Sequence, residues 1–115
     1  MDHRVMFLRD SYQLNHQLQR VVAGNPVGCV AIKLHKTGRS AEYQVSVLNP
    51  LDKFDRAIAR QLALGRLAEA PFTVRLPPNA NIFDITLAVL SDIALDESAP
   101  SRARKAAKLW IKWNV

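Results

Sequence analysis

Between Val27 and Leu76 the spacing of apolar residues changes from two to about 3.6 and back to two. Val30, Ile32 and Leu34 alternate with Cys29, Ala31, Lys33 and His35. After Lys36-Thr37-Gly38-Arg39, Tyr43, Val45 and Val47 alternate with Glu42, Gln44 and Ser46. Two alternating runs around a short Gly-containing turn predict a β-hairpin, with Gly38 supplying the positive φ of its turn. Asn49-Pro50 ends the return strand, because proline donates no ladder hydrogen bond. A helix is then predicted from about Pro50 or Leu51, with Asp52 near its positive end. Its sheet-facing stripe is read as Leu51, Phe54, Ile58, Leu62 and Gly65, with Gly65 as a point of close approach. Ala70-Pro71 closes that helix, and Phe72, Val74 and Leu76 form a third strand that Pro77-Pro78 stops.

Outside this stretch, residues 5–9 fit either a short strand or the lead-in to a helix. Leu14, Leu18, Val21 and Val22 recur at helical spacing behind Asp10 and Ser11, which can cap, and ahead of Gly24-Asn25-Pro26; a helix over 11–23 is expected. Asn79-Ala80-Asn81 can cap a very apolar helix over 82–95. Ser98-Ala99-Pro100-Ser101 breaks it before a last helix over about 102–113, with Ser101 as its cap. A right-handed crossover would place the third strand parallel to the second and beyond the first. The predicted fold is therefore α+β: one domain over 1–115, a small three-stranded sheet in order 2-1-3, a crossover helix and flanking helices on one face. Residues 101–115 extend it as a basic C-terminal helix.

Charge changes this picture. The net charge is +6, yet residues 1–97 hold eleven Lys and Arg against ten Asp and Glu, whereas residues 98–115 hold five cations and no acid. A one-signed end on a nearly neutral body predicts an anionic partner such as nucleic acid, an acidic protein face or a membrane surface. The start, Met1-Asp2-His3-Arg4, lacks the layout of a secretory signal, no apolar run is long enough to span a bilayer, and Cys29 is the single cysteine. A reducing cytoplasm, the host's if the chain is phage-encoded, is the expected setting, with Cys29 as a buried thiol.

Catalytic constellations are not evident. His3, His16 and His35 share no metal-binding spacing, so no metal or cofactor is expected. Asp52 with Asp55, and Asp92 with Asp96 and Glu97, sit at helix ends and read as solvated charges rather than an acid–base pair. Two basic surfaces remain. Lys53, Arg56, Arg60 and Arg66 lie on the crossover helix; Arg102, Arg104, Lys105, Lys108 and Lys112 share the last helix with Trp110 and Trp113. Guanidinium and ammonium groups grip phosphate oxygens, and indoles either stack on bases or close a core.

The phrase Asn49-Pro50-Leu51-Asp52-Lys53-Phe54-Asp55-Arg56-Ala57-Ile58-Ala59-Arg60-Gln61-Leu62-Ala63-Leu64-Gly65-Arg66 resembles one found after a hairpin strand in small phage and prophage accessory proteins of uncharacterised function. The resemblance implies a host-takeover protein, a class that includes anti-CRISPR inhibitors, acting by docking rather than catalysis. It transfers no site residues. The function expected is a non-enzymatic phage-type protein that docks on nucleic acid or a host nucleoprotein through its basic helix faces. The alternative is a protein–protein inhibitor of host defence, or a homo-oligomer such as a homodimer built on the apolar 82–95 segment.

Overall fold

The structure is a computed structural model that describes residues 3–15, 17, 19–48 and 53–115. Among the described residues six strands and three helices occur in the order β1 (His3–Arg9), β2 (Tyr12–Asn15), β3 (Arg20–Ala23), β4 (Pro26–Leu34), β5 (Ser40–Val47), α1 (Arg56–Glu69), β6 (Phe72–Arg75), α2 (Ile82–Leu95) and α3 (Ser101–Asn114). The coarse α+β class is as expected, but the three-stranded sheet is not. β1, β4, β5 and β6 form a four-stranded sheet in that spatial order, every pairing antiparallel, and β2 and β3 form a separate two-stranded ribbon.

The hairpin of β4 and β5 is present, with Val30 opposite Val45 and Ile32 opposite Tyr43. Gly38 takes φ of +68° in its turn. Residues 3–9 resolve as an edge strand beside β4. The helix expected over 11–23 is the β2–β3 ribbon. Tyr12 pairs with Ala23 and Gln13 with Val22, and Gln19 bends the chain at φ of 50°. Asp10 and Ser11 tie its base instead of capping a helix: Asn25 N–H donates to Asp10 Oδ1 at 2.9 Å, and Gly24 N–H to the Ser11 carbonyl at 2.8 Å.

The third strand lies beside β5 and antiparallel to it, Phe72 opposite Tyr43, rather than parallel beyond the first. The reason is the course of α1. At its N-terminal side Phe54 meets Phe7 of β1 edge-on with centroids 5.9 Å apart, and at its C-terminal end the Ala70 carbonyl accepts from Gln44 Nε2 of β5 at 2.7 Å. The helix thus runs across the strands instead of back along them, and the handedness rule for parallel crossovers has nothing to act on. The expected strand stop at Asn49-Pro50, helix start at Pro50 or Leu51, and Asp52 all lie outside the described residues, as do His16 and Leu18. Within the described residues the helix begins at Arg56, capped by Asp55, whose carboxylate accepts from Ala57 and Ile58 N–H.

Helices cover both faces of the sheet, not one. Cys29 and Ala31 meet Ala59, Ala63 and Leu67 of α1 on one side. Val30, Ile32, Tyr43 and Val45 meet Ile85, Val89, Leu90 and Ile93 of α2 and Ala103, Ala106 and Ala107 of α3 on the other. Full burial of each large aliphatic contributes about 1.5–3 kcal/mol, so the second face holds most of the apolar stabilisation. Asn81 caps α2 in a reciprocal box with Asp84. Ser101 is the first residue of α3 and does not cap it; Pro100 occupies the cap position without a side-chain bond.

The sheet-facing stripe of α1 also differs from expectation. Ala59 and Ala63 face the sheet, while Ile58 and Leu62 are 51% and 48% exposed. Small residues win this position because the helix lies close: buried Ser46 Oγ donates to the Ala59 carbonyl at 2.9 Å, which a bulky stripe would prevent. Gly65 is exposed, and a methyl group there meets no atom within 4 Å, whereas one at Gly28 would sit 2.6 Å from the Ser46 carbonyl oxygen. In dilute protein, Gly65→Ala should therefore raise unfolding free energy by about 0.5–1 kcal/mol. Gly28→Ala should lower it by about 1–3 kcal/mol. Urea unfolding followed by circular dichroism checks both, and a destabilising Gly65→Ala would contradict the placement.

Candidate functional site

Three of the expected cations form a continuous surface. Because Ala103, Ala106 and Ala107 bury one side of α3, the opposite side carries Lys105, Lys108 and Lys112, all exposed and spaced so that they fall on one ridge. The two arginines of the helix are turned to structural bonds. Arg102 Nη1 donates to the Leu48 carbonyl at 2.7 Å, and Arg104 Nε donates to the Ala99 carbonyl at 3.2 Å. Trp110 lies against Phe83 of α2, ring centroids 5.8 Å apart, and packs on the main core. Trp113 is 38% exposed.

At the N-terminal end of this ridge, Arg102 and Lys105 join Arg9 and Asp10 from the end of β1 around a cleft of about 230 Å³, with Val27, Ala106 and Leu109 as its apolar lining. Three cations and one carboxylate leave it positive. Arg9 was not foreseeable as part of such a group: only the packing of α3 over β1 brings it to the start of the last helix. Arg9 Nη1 reaches the Gly24 carbonyl at 3.5 Å, the long limit of a hydrogen bond. Among the described residues the one ion pair is His35 with Glu42, at 3.9 Å across the β4–β5 hairpin. The lysine ridge is thus not neutralised by Asp92, Asp96 or Glu97. Asp96 is engaged by Ser98, whose hydroxyl and amide both donate to it and hold its carboxyl below the usual carboxylate range.

The basic residues of α1 lie on the other side of the sheet. Arg56 stands over the Phe7 ring, 5.4 Å from its centroid, Arg60 is exposed, and Lys53 is exposed ahead of the helix. Because Ala59 and Ala63 are the buried stripe, Arg56 and Arg60 flank the sheet contact instead of opposing it. Arg66 Nη1 donates to the Val45 carbonyl at 2.9 Å. The two basic sets are therefore not one surface.

A second cleft, about 190 Å³, is lined by Tyr43, Arg66, Asp96 and Ser98 among others. Tyr43 is 1% exposed and its hydroxyl donates to Asp92. Burial first, then that bond and the nearby acids, hold the phenol well above its ordinary range. Burial pushes the Cys29 thiol up to about 11. A protonated phenol and a protonated, buried thiol are not nucleophiles at neutral pH. No group of three His, Cys, Asp or Glu residues is placed to hold a metal ion among the described residues, and no described helix is long and apolar enough to cross a membrane. Comparison with family models, with curated proteins and with solved structures finds no significant match.

The Tyr43 environment generates a pH prediction. A raised phenol pKa favours the protonated form in the folded chain, so its contribution to stability is fully present below the unfolded value of 10.0 and is lost as pH rises beyond it. The urea midpoint should fall above about pH 10, and Tyr43→Phe should flatten that part of the profile while lowering the midpoint at neutral pH. An unchanged alkaline slope in the variant would assign the fall to other groups.

Proposed function

We propose that the protein is a non-enzymatic binding module that docks on nucleic acid through the lysine ridge of α3 and the Arg9–Arg102–Lys105 cleft at its head. The single observation that carries this reading is the ridge: three exposed ammonium groups on one side of a helix that holds no acid. From Lys105 to Lys112 the helix rises about 10 Å, a length that matches about three successive phosphates of one strand. Arg102, half-buried and held by the Leu48 carbonyl, brings a rigid guanidinium to the cleft, and guanidinium suits bidentate phosphate contact. With Trp110 packed on Phe83, only Trp113 has a face available for a base. Docking on a host nucleoprotein, as the phage-like phrase over 49–66 suggests, belongs to this same proposal.

The inhibitor or oligomer built on 82–95 draws less support. Ile85, Val89, Leu90 and Ile93 are spent in the chain's own core, and the exposed remainder, Ile82 and Phe83 at one end of α2 and Leu95 at the other, is not one patch.

Fluorescence anisotropy with short single- and double-stranded oligonucleotides should show affinity falling with salt, with a log–log slope of about −4.5 on duplex if all five cations of the ridge and cleft meet phosphates. Lys108→Ala should reduce the magnitude of that slope by about 1, and Lys105→Ala/Lys108→Ala/Lys112→Ala should abolish binding without changing the unfolding midpoint. Arg56→Ala/Arg60→Ala should leave binding nearly intact. Absence of binding at low salt overturns the reading.

A further inference from the structure

Among the described residues, none covers the outer surface of α1. Ile58 and Leu62 are about half exposed, and Ala57, Gln61, Gly65, Ala68 and Glu69 are exposed beside them. Gly65 is the informative residue. Glycine within a helix is unfavourable relative to alanine; here φ is not positive and nothing lies within 4 Å of the space a side chain would take. Among the described residues no feature calls for the absence of a side chain at Gly65, which leaves the position open as a hole for a contact from outside.

We infer that a second copy of this chain packs on this face, α1 against α1 and antiparallel. With a two-fold axis passing between Gln61 and Leu62, Ile58 of each copy falls on the partner's Gly65, and Leu62 of the two copies meets near the axis. A knob and a hole at reversed, equal spacing on one helix make a self-complementary contact, which is what an isologous interface demands. The charges agree with the same register. Phe54 turns inward onto Phe7 and leaves Lys53 exposed at the start of the helix, and Glu69 is exposed at its end. In the antiparallel pair each Glu69 sits beside the partner's Lys53 and the positive end of the partner's helix, at both ends of the contact. A parallel pair would put like charges together. The helix has only 14 residues, so the contact is small and the dimer weak and governed by mass action. Because α3 lies on the opposite face of the sheet, each copy keeps its lysine ridge outward, and the pair is bivalent for a long anionic strand.

Sedimentation equilibrium of nuclease-treated protein from about 1 μM to about 1 mM should show a monomer–dimer equilibrium, as contacts below about 1,200 Å² do. Leu62→Glu should be monomeric throughout with an unchanged far-ultraviolet spectrum. Gly65→Leu, which fills the hole but suits a lone helix, should also be monomeric and unfold no earlier than the parent. Lys53→Glu should weaken the dimer at least several-fold, and Lys53→Glu with Glu69→Lys should restore it. A parent chain that stays monomeric at every concentration overturns the inference. So does a dimer indifferent to Gly65→Leu, or a charge exchange that fails to restore association.

Discussion

Six consecutive residues of β4, Val27 to Ile32, are buried. Successive side chains of a strand point to opposite faces, so a strand buried without interruption obliges the protein to place a layer on each side of its sheet. The two layers are built from unlike material. Under Cys29 and Ala31 there is room for one close-lying helix with alanines on its inner stripe, whereas Val30 and Ile32, with Tyr43 and Val45 from the neighbouring strand, need the larger side chains of α2 and the alanine edge of α3. From that asymmetry follows the rest. The single helix on the thin side leaves Ile58 and Leu62 outside, and the helix pair on the thick side turns the lysines of α3 outward.

The sheet therefore acts as a partition between two surfaces of different character. One, along α1, exposes Ile58 and Leu62 between Lys53 and Glu69, with Arg56 and Arg60 flanking the sheet contact. The other is a cationic ridge along α3 that continues into a cleft at β1. The sequence's five acid-free cations do not act alike: the arginines near the start of α3 bond to the Leu48 and Ala99 carbonyls, while Lys105, Lys108 and Lys112 are exposed on the outer side of the helix.

Several features were legible from residue order, and the failures have identifiable causes. The β4–β5 hairpin was readable because strict alternation coincides with a glycine in its turn. The 82–95 helix was readable from its apolar run and Asn81 cap. The β2–β3 ribbon was missed because its bend uses Gln19 at positive φ, a residue that carries no turn signal, and because Asp10 and Ser11 serve a ribbon base as readily as a helix cap. The sheet order failed on the direction of α1, which is set by Phe54 reaching Phe7 across the sheet, a long-range contact that no local spacing encodes. The inner stripe of α1 failed for a related reason: counting hydrophobicity favours Ile58 and Leu62, but closeness to Ser46 favours Ala59 and Ala63. Within the basic surface, the helix that carries the five cations was legible, but neither the separation of its lysines from its arginines nor the contribution of Arg9 was.

β6 is short. It pairs with β5 only from Ser40 to Tyr43, so among the described residues the remainder of β5 has no neighbouring strand on that side. At Val45 the unpaired main chain is closed by side chains: its N–H donates to Gln44 Oε1 at 3.0 Å and its carbonyl accepts from Arg66 Nη1 at 2.9 Å. An open strand edge is a template on which foreign strands grow. Gln44 and Arg66 thus occupy, in the folded chain, the main-chain groups of Val45 that a further strand would otherwise take.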